Sequence, residues 1–598
     1  MKKIIILFFF FIAYSLFFSN HEIYAAQNQC TFYQDKNGPF ITYLYNYPGI
    51  IGIGGKFTNQ PLTVEFFSSN NTRLTQSIIS NPQKFYRNTQ SPTYEYTDDD
   101  LSSDTDRLLI FEKPELSINK INSVKISQQD RHIEINLPTL SGCTTANEPF
   151  PEISVWLELR KDNPSGNGEV SDLEDLNWDL IKSSKFKNDM QKLYDSGVHT
   201  LVINPQLNMW SSCAQTLLPR YNLLTSTINN SLAQGSFNFI VQPNYFPEVN
   251  YSTGEYIPKI LPAWDFINNT WVSTPKNDKD AYKDLYSCLS EHLKNTPNFS
   301  GIMPWQEATS RHYKTDLQNE LINSQKSALS GSATKVYGFD GWIENNSTTD
   351  HMETKYLNKN FGDILVHQTY PGNNLPFLNG SPGIQGTADG IKFLIRGLSK
   401  LNSPTPINIQ AYLQAFDKGK VSCPGIGTPS PLSWANFDSR WNMINEFDAQ
   451  RAAINFYSDK YNTPTTLSGA MFYYYGNYYN NSGKDHIWSN EETANKPTLC
   501  WPRIDNSPDI FNEVLSTTQY IIQPTPKTTS FQTPTPTPKG TYSPRDIDRN
   551  GKVDIFDYNI LFSDFGKTGT PGFVASDINR DGKVNMVDYT ILVRNFGK

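Results

Sequence analysis

Charge is scarce in this sequence. Asp, Glu, Lys and Arg supply 18% of its 598 residues, against a usual share of ~25%. That shortage excludes a charge-rich disordered chain and a coiled coil. There is no excess of basic residues either: 51 Lys and Arg stand against 59 Asp and Glu, for a net charge of −8. Without clustered Lys and Arg the chain has no electrostatic footprint for nucleic acid. Cysteines number six, widely spaced, and the absence of Cys-x-x-Cys argues against a zinc site. Long apolar runs are missing except for Ile4 to Phe18. Fifteen residues rise about 22 Å as a helix, short of the ~30 Å hydrocarbon core. This run follows Lys2 and Lys3 and precedes Ala25 and Ala26, which predicts a secretory signal over residues 1–26. An uncleaved N-terminal anchor is the alternative. The expected product is secreted, extracellular or attached to the cell surface, with no membrane span after cleavage. Export would permit three disulfides. Locality pairs Cys30 with Cys143, Cys213 with Cys288 and Cys423 with Cys500, six buried thiols being the alternative.

Aromatic residues, by contrast, are plentiful: 32 Tyr, 36 Phe and 11 Trp. Residues 27–150 carry short β-type runs (Phe40–Tyr47, Leu62–Phe67, Leu108–Glu112, Val124–Ser127, His132–Leu137) between turn-rich segments, which predicts a small β-sandwich. Its Asp98, Asp99, Asp100, Asp104 and Asp106 read as a solvated acidic loop more readily than as a cation site. From residue 151 to about 520, eight strand-like runs alternate with helix-like stretches. The strand runs begin at Ile153, Thr200, Phe237, Ser300, Lys335, Asp363, Ile407 and Gly469. That rhythm predicts a parallel sheet, and eight units predict an α/β (β/α)8 barrel of TIM type, with a doubly wound open sheet as runner-up. Residues 521–540 hold prolines at alternate positions in two clusters, Pro524 and Pro526, then Pro534, Pro536 and Pro538, and form an extended spacer ahead of a tail at 541–598.

In a barrel the reacting groups sit at the C-terminal ends of the strands. The fourth run ends Met303-Pro304-Trp305-Gln306-Glu307. It resembles the acid/base position of many barrel glycoside hydrolases, where a Glu follows an amide residue. Cleavage of a glycosidic bond needs one carboxylic acid to protonate the leaving oxygen and a second carboxylate to attack or to activate water. Trp305 beside Glu307 would raise the acid's pKa by desolvation. The resemblance implies a second Glu on the seventh run, yet Ile407–Asp417 carries only Gln410, Gln414 and Asp417 as polar candidates. Asp340 on the fifth run is the preferred second carboxylate, with Glu344 and Asp417 behind it. Asn244, Trp305, His367, Tyr370, Gln414 and Tyr475 fall at strand ends and are candidate sugar contacts, amides bonding hydroxyls and rings stacking on pyranose faces. The competing class is a non-catalytic glycan-binding or surface-assembly protein with a degenerate barrel.

The tail repeats itself with a period of 31. Asp546, Asp548, Asn550, Lys552, Asp554 and Asp557 recur as Asp577, Asn579, Asp581, Lys583, Asn585 and Asp588. Oxygen side chains at loop positions 1, 3, 5, 9 and 12, Gly at position 6 and a backbone carbonyl at position 7 form the EF-hand calcium arrangement. Two Ca²⁺ ions are expected, one per loop. Eight acidic and eight basic residues leave the tail neutral, yet each loop concentrates carboxylates. Across nearly its whole length the tail resembles a type I dockerin domain. The resemblance implies a paired calcium loop–helix module that docks on a cohesin-type partner, most often carrying a secreted polysaccharide-degrading enzyme. Ile555-Phe556 and Met586-Val587 replace the hydroxyl-bearing pair usual at the recognition positions. As apolar pairs they are either recognition surface or core.

Overall fold

The computed structural model describes residues 31–34, 40–68, 70–80, 82, 85–86, 95–96, 106–112, 121–136, 152–159, 161–162, 176–203, 218–242, 260–265, 270–304, 314–340, 357–368, 384–403, 406–415, 443–476, 479–480, 504–505, 507–522, 545, 547, 553, 555–572 and 574–596. The chain forms two compact units, Met1–Lys527 and Thr528–Lys598.

The first unit begins with two four-stranded antiparallel sheets. One runs, in spatial order, Thr31–Gln34, Ile41–Asn46, Ile50–Lys56, Asp106–Glu112. The other runs Arg131–Asn136, Ser123–Gln128, Leu62–Phe67, Arg73–Ile79. Leu62–Phe67 alternates buried with half-buried residues, as a strand with one covered face must. Its Val64 and Phe66 meet Leu44, Ile51 and Ile53 of the facing sheet. Ile41–Asn46 does not alternate, and all six residues are buried. The second face of that sheet is covered as well: Tyr43, Tyr45 and Tyr47 pack on Leu394, Leu398 and Phe456 of two barrel helices, Ile384–Lys400 and Met443–Lys460. Ile50–Lys56 escaped the sequence reading because it is rich in glycine. Gly54 explains why: a Cβ there would lie 2.5 Å from the Phe456 ring, so only a bare backbone lets the sheet approach the helix.

The exposed ladder of the edge strand Asp106–Glu112 is closed by side chains. Gln385 accepts from Ile110 N at 2.8 Å and donates to Leu108 O at 2.9 Å, copying a neighbouring strand. Lys392 Nζ donates to Asp106 O at 2.7 Å. An unpaired sheet edge, an aggregation hazard, thus becomes the seam that ties sandwich to barrel.

Eight parallel strands then close a barrel: Glu152–Glu158, Thr200–Ile203, Asn238–Val241, Phe299–Ile302, Lys335–Asp340, Ile364–Gln368, Ile407–Gln414 and Thr465–Gly476. These are the eight runs expected, closed into a barrel and not opened into a doubly wound sheet. Pairing register and strand alternation fix which residues face the lumen. Phe239 and Phe299 both meet Tyr221 on the outer helix Leu218–Asn229, so Ile240 and Gln242 face inward by alternation, and a register shift that skips Ser300 pairs Gly301 with Ile240 and turns Gly301 and Met303 inward as well. Trp156, Phe339, Tyr412 and Tyr473 meet one another across the lumen, with ring centroids 4.9–5.9 Å apart. They fill the barrel's middle as a packed core, as small barrels require. At the N-terminal end, Tyr337 donates to Glu152 at 2.9 Å and closes the floor.

The second unit is built from the helices Ile555–Asp564 and Met586–Val593. Its core is Ile547, Val553, Leu561, Val584 and Leu592, flanked by Tyr558, Ile578 and Tyr589. These residues pair at the 31-residue offset, so each half of the repeat contributes the same apolar set. An antiparallel bridge between Thr568 and Lys583 joins the halves.

Candidate functional site

Two places in the molecule gather chemistry. The first is the C-terminal mouth of the barrel. Above the Trp156, Phe339, Tyr412 and Tyr473 layer, the lumen-facing positions are Glu158 on the first strand, Gln242 after the third, Met303 after the fourth and Gln368 on the sixth. Glu158 is 2% exposed, Gln242 0% and Gln368 7%. Glu158 Oε1 accepts from the Trp156 indole at 2.8 Å, so the aromatic layer below orients the carboxylate. Neither amide atom of Gln242 has a hydrogen-bond partner in the protein, nor has Gln368 Oε1. A buried polar group left unsatisfied costs about 1–3 kcal/mol. The mouth therefore presents a carboxylate and two carboxamides over an aromatic surface, a composition suited to hydroxyl-rich ligands.

The residues expected from sequence are distributed as follows. Glu307, Trp305, Asn244, Tyr370, Glu344 and Asp417 lie outside the described residues. Asp340 closes the fifth strand, paired with His367 of the sixth. Gln414 ends the seventh strand opposite Tyr473. His367 is buried and shares its face with Leu365, which packs in the core between sheet and helices, whereas Val366 and Gln368 take the lumen face. Tyr475 also faces outward. Its hydroxyl donates to Asp189 at 2.9 Å and its ring packs on Phe186, both on the helix Ser184–Ser196. A register shift between Val155 and Leu157 produces this: it turns Tyr475 away from the lumen while Tyr473 stays inside. Burial, then the charges of Asp189 and Asp505, push the Tyr475 phenol well above its ordinary range. Gln242 and Gln368 fall in the strand ends that the sequence offers as sugar contacts, beside Asn244 and His367, whereas Glu158 is not among them. The signal was nonetheless in the first strand, where Ser154, Trp156 and Glu158 alternate with Ile153, Val155 and Leu157.

The second place is the tail's second loop. Gly582 takes a φ of +82°, and a Cβ there would meet Gly569 O at 2.6 Å, so glycine is required at the turn. Asp577 Oδ2 accepts from Gly582 N at 3.0 Å, and Asp577 Oδ1 from Asp581 N at 3.0 Å. Asp588 Oδ1 accepts from Asn579 N at 3.1 Å and its Oδ2 from Asn585 N at 3.0 Å, while Asn585 caps the following helix. Asp577 and Asp588 are buried. Among the described residues no group of three His, Cys, Asp or Glu side chains is arranged to hold a metal ion. The donor set itself, Asp577, Asn579, Asp581, Asn585, Asp588 and the Lys583 carbonyl, is all oxygen, as a hard cation requires. In the first loop Asp557 is buried and accepts from Ile547 N, whereas Asp546, Asp548, Asn550, Lys552 and Asp554 lie outside the described residues. Met586 and Val587 are 60% and 51% exposed, which makes them surface and not core. Phe562, Phe565, Val593 and Phe596 are exposed as well, two pairs at the 31-residue offset.

Fold and site together define a multidomain barrel protein with a tail of two repeated loop–helix units. Residues 544–597 match the family model for the dockerin type I domain. The tail is a dockerin type I domain. No curated protein matches the chain. Among solved structures, a β-glucuronidase from Ruminococcus gnavus in complex with D-glucaro-δ-lactam aligns at 8% identity and a TM-score of 0.30, over 72% of this chain and 60% of that one. A β-glucuronidase from an uncultured Clostridium sp. aligns at 9% identity and 0.28, over 72% and 60%. The chain thus spans about 60% of the length of these structures.

Proposed function

We propose that this is an exported carbohydrate-active protein that hydrolyses O-glycosyl bonds in a polysaccharide. Its dockerin tail would attach it, through calcium, to a cohesin-type partner. The observation that carries the reading is a dockerin type I match on a chain whose main body closes an eight-stranded parallel barrel. Export is supported by the basic-then-apolar leader at residues 1–26 and by Cys288, which is disulfide-bonded. Within the described residues no helix is long and apolar enough to cross a membrane.

In the barrel, Glu307 is assigned the general acid, protonating the leaving oxygen. Asp340 is assigned the second carboxylate, with Glu344 and Asp417 as alternatives. The carboxyl separation decides the outcome, about 5 Å for retention and roughly 6.5–9.5 Å for inversion. In the tail, type I dockerin domains bind calcium. The two loops would hold one Ca²⁺ each, the second through Asp577, Asn579, Asp581, Lys583, Asn585 and Asp588. The bound cation would neutralise carboxylates that otherwise repel, and so drive the small domain to fold. The exposed Met586 and Val587 suit an apolar recognition surface on the partner.

A second reading is favoured by the seventh strand. Gln410 and Tyr412 share its lumen parity, and the strand Ile407–Gln414 contains no Glu. A barrel that holds glycan without cutting it would fit that pattern. Reducing-sugar release from a polysaccharide panel separates the readings. Hydrolysis predicts release by the wild type and a loss of at least 100-fold in Glu307→Gln. Release unchanged by that substitution removes Glu307 from the mechanism.

A further inference from the structure

The third barrel strand, Asn238–Val241, does not pass straight into its helix. Its connection runs from Gln242 to Asn277 and holds a two-stranded antiparallel ribbon, Ile260–Asp265 paired with Thr270–Asn277. Connections from strand to helix leave a parallel barrel at its C-terminal end, so the ribbon belongs to the mouth. Its second strand leads without a break into the helix Asp278–Leu293, which ties one end of the ribbon to the rim. In the ladder Trp264 stands directly opposite Trp271. Opposed residues share a face, so two of the chain's 11 tryptophans occupy one face of the ribbon, with Pro262 and Ser273. Ala263, Asp265, Thr270 and Val272 take the other face. At ~3.4 Å per residue, the pair lies roughly 20 Å along the strand from Asn277.

A cross-strand aromatic pair steadies such a ribbon, but valine suits a strand as well and is smaller. What tryptophan adds is a broad ring. The groups around it are mostly uncharged: Asp265 is the one charged residue from Pro262 to Ser273, whereas Asn268, Asn269, Thr270 and Ser273 carry amides and hydroxyls. Aromatic surface among such groups suits the C–H faces and hydroxyls of a sugar. At the root of the same connection Gln242 is buried, with neither amide atom hydrogen-bonded. We propose that the Trp264–Trp271 pair is a platform for one ring of an extended glycan whose other end occupies the barrel mouth at Gln242. The inference rests on the carbohydrate reading of the barrel and deepens it: the ligand is a long chain and not a mono- or disaccharide. A chain that reaches both places gains from the second contact at high effective concentration, and a short one meets only the first.

The test is calorimetric titration of the full-length chain with xylo-, manno- and cello-oligosaccharides of two and of six units, each checked by chromatography to be intact afterwards. In at least one series the wild type is expected to bind the hexasaccharide at least ~10-fold more tightly than the disaccharide. Trp264→Val and Trp271→Val keep a strand-forming residue and remove the ring. Each is expected to cancel that gain and to leave the disaccharide affinity unchanged. Amide hydrogen exchange over residues 260–277 reads the ribbon itself. In the wild type the hexasaccharide should slow exchange there and the disaccharide should not. Exchange indifferent to the hexasaccharide would overturn the proposal. So would an affinity that falls only where the free variant's ribbon already exchanges faster, since the pair would then be a structural staple. Binding that is independent of chain length and of both tryptophans would reject the platform while sparing the carbohydrate reading. Failure of every series to bind would count against that reading and take the platform with it.

Discussion

Arg107 sits on the edge strand of the sandwich with its guanidinium 2.7 Å from Asp389 of the Ile384 helix, and both residues are buried. Replacing both partners with apolar groups is often tolerated, but removing one leaves a buried, uncompensated charge. Asp389→Ala is therefore expected to cost about 3–5 kcal/mol in urea unfolding of the first unit. A loss below about 1 kcal/mol would show that Arg107 finds solvent or another anion. Tyrosines give a second residue-scale prediction. Burial holds the phenols of Tyr45, Tyr221, Tyr337, Tyr475 and Tyr520 above their ordinary range. Glu152 adds to this at Tyr337 and Asp448 at Tyr520. A phenol whose pKa is raised on folding stabilises the fold below the unfolded value of ~10 and loses that contribution as pH climbs through the folded value. Unfolding free energy should thus fall above about pH 10. Phenolate absorbance from these five should appear only with loss of far-ultraviolet ellipticity. Full ionisation of all tyrosines in a folded chain would contradict the burial.

At the scale of elements, the two calcium-type loops and the barrel strands make separate predictions. A chelator is expected to abolish the ellipticity of an isolated 541–598 fragment, and Ca²⁺ to restore it, because buried Asp577 and Asp588 lie in a core of few apolar residues. Unchanged ellipticity would remove calcium from the account. In the barrel, Gly301→Ala places a Cβ 2.4 Å from the Tyr337 ring and 2.5 Å from Lys335 O, so the lumen floor must shift. The expected loss is about 1–3 kcal/mol, read from urea unfolding. The elements themselves were largely legible in the sequence. All eight barrel strands are short apolar runs set between helical stretches, and the 31-residue repeat announces the tail. What was not legible was facing. Sequence places Tyr475 and His367 at the mouth because they end strands. Their side chains are turned outward by a register shift in one case and plain alternation in the other. Glu158 was overlooked because it closes an apolar run that reads as core throughout. Parity around a closed barrel is a long-range property, carried by pairing between strands and not by any one of them.

For the whole molecule, the sandwich and the barrel are fused through a sheet whose two faces are both buried and whose edge is capped by Gln385, Lys392 and Arg107 contacts. The sandwich is accordingly expected to unfold together with the barrel and not ahead of it. A single calorimetric transition for residues 27–527, separate from the calcium-dependent tail, is the expected result, and two resolved transitions would contradict the shared core. The central claim is that carbohydrate is handled at the C-terminal mouth of the barrel. The most direct measurement is a crystal structure of the full-length chain with an oligosaccharide that it binds. The account predicts a sugar ring above Trp156, within hydrogen-bonding distance of Glu158, Gln242 and Gln368. Sugar bound on the sandwich or the tail, with the barrel mouth empty at saturating ligand, would contradict it.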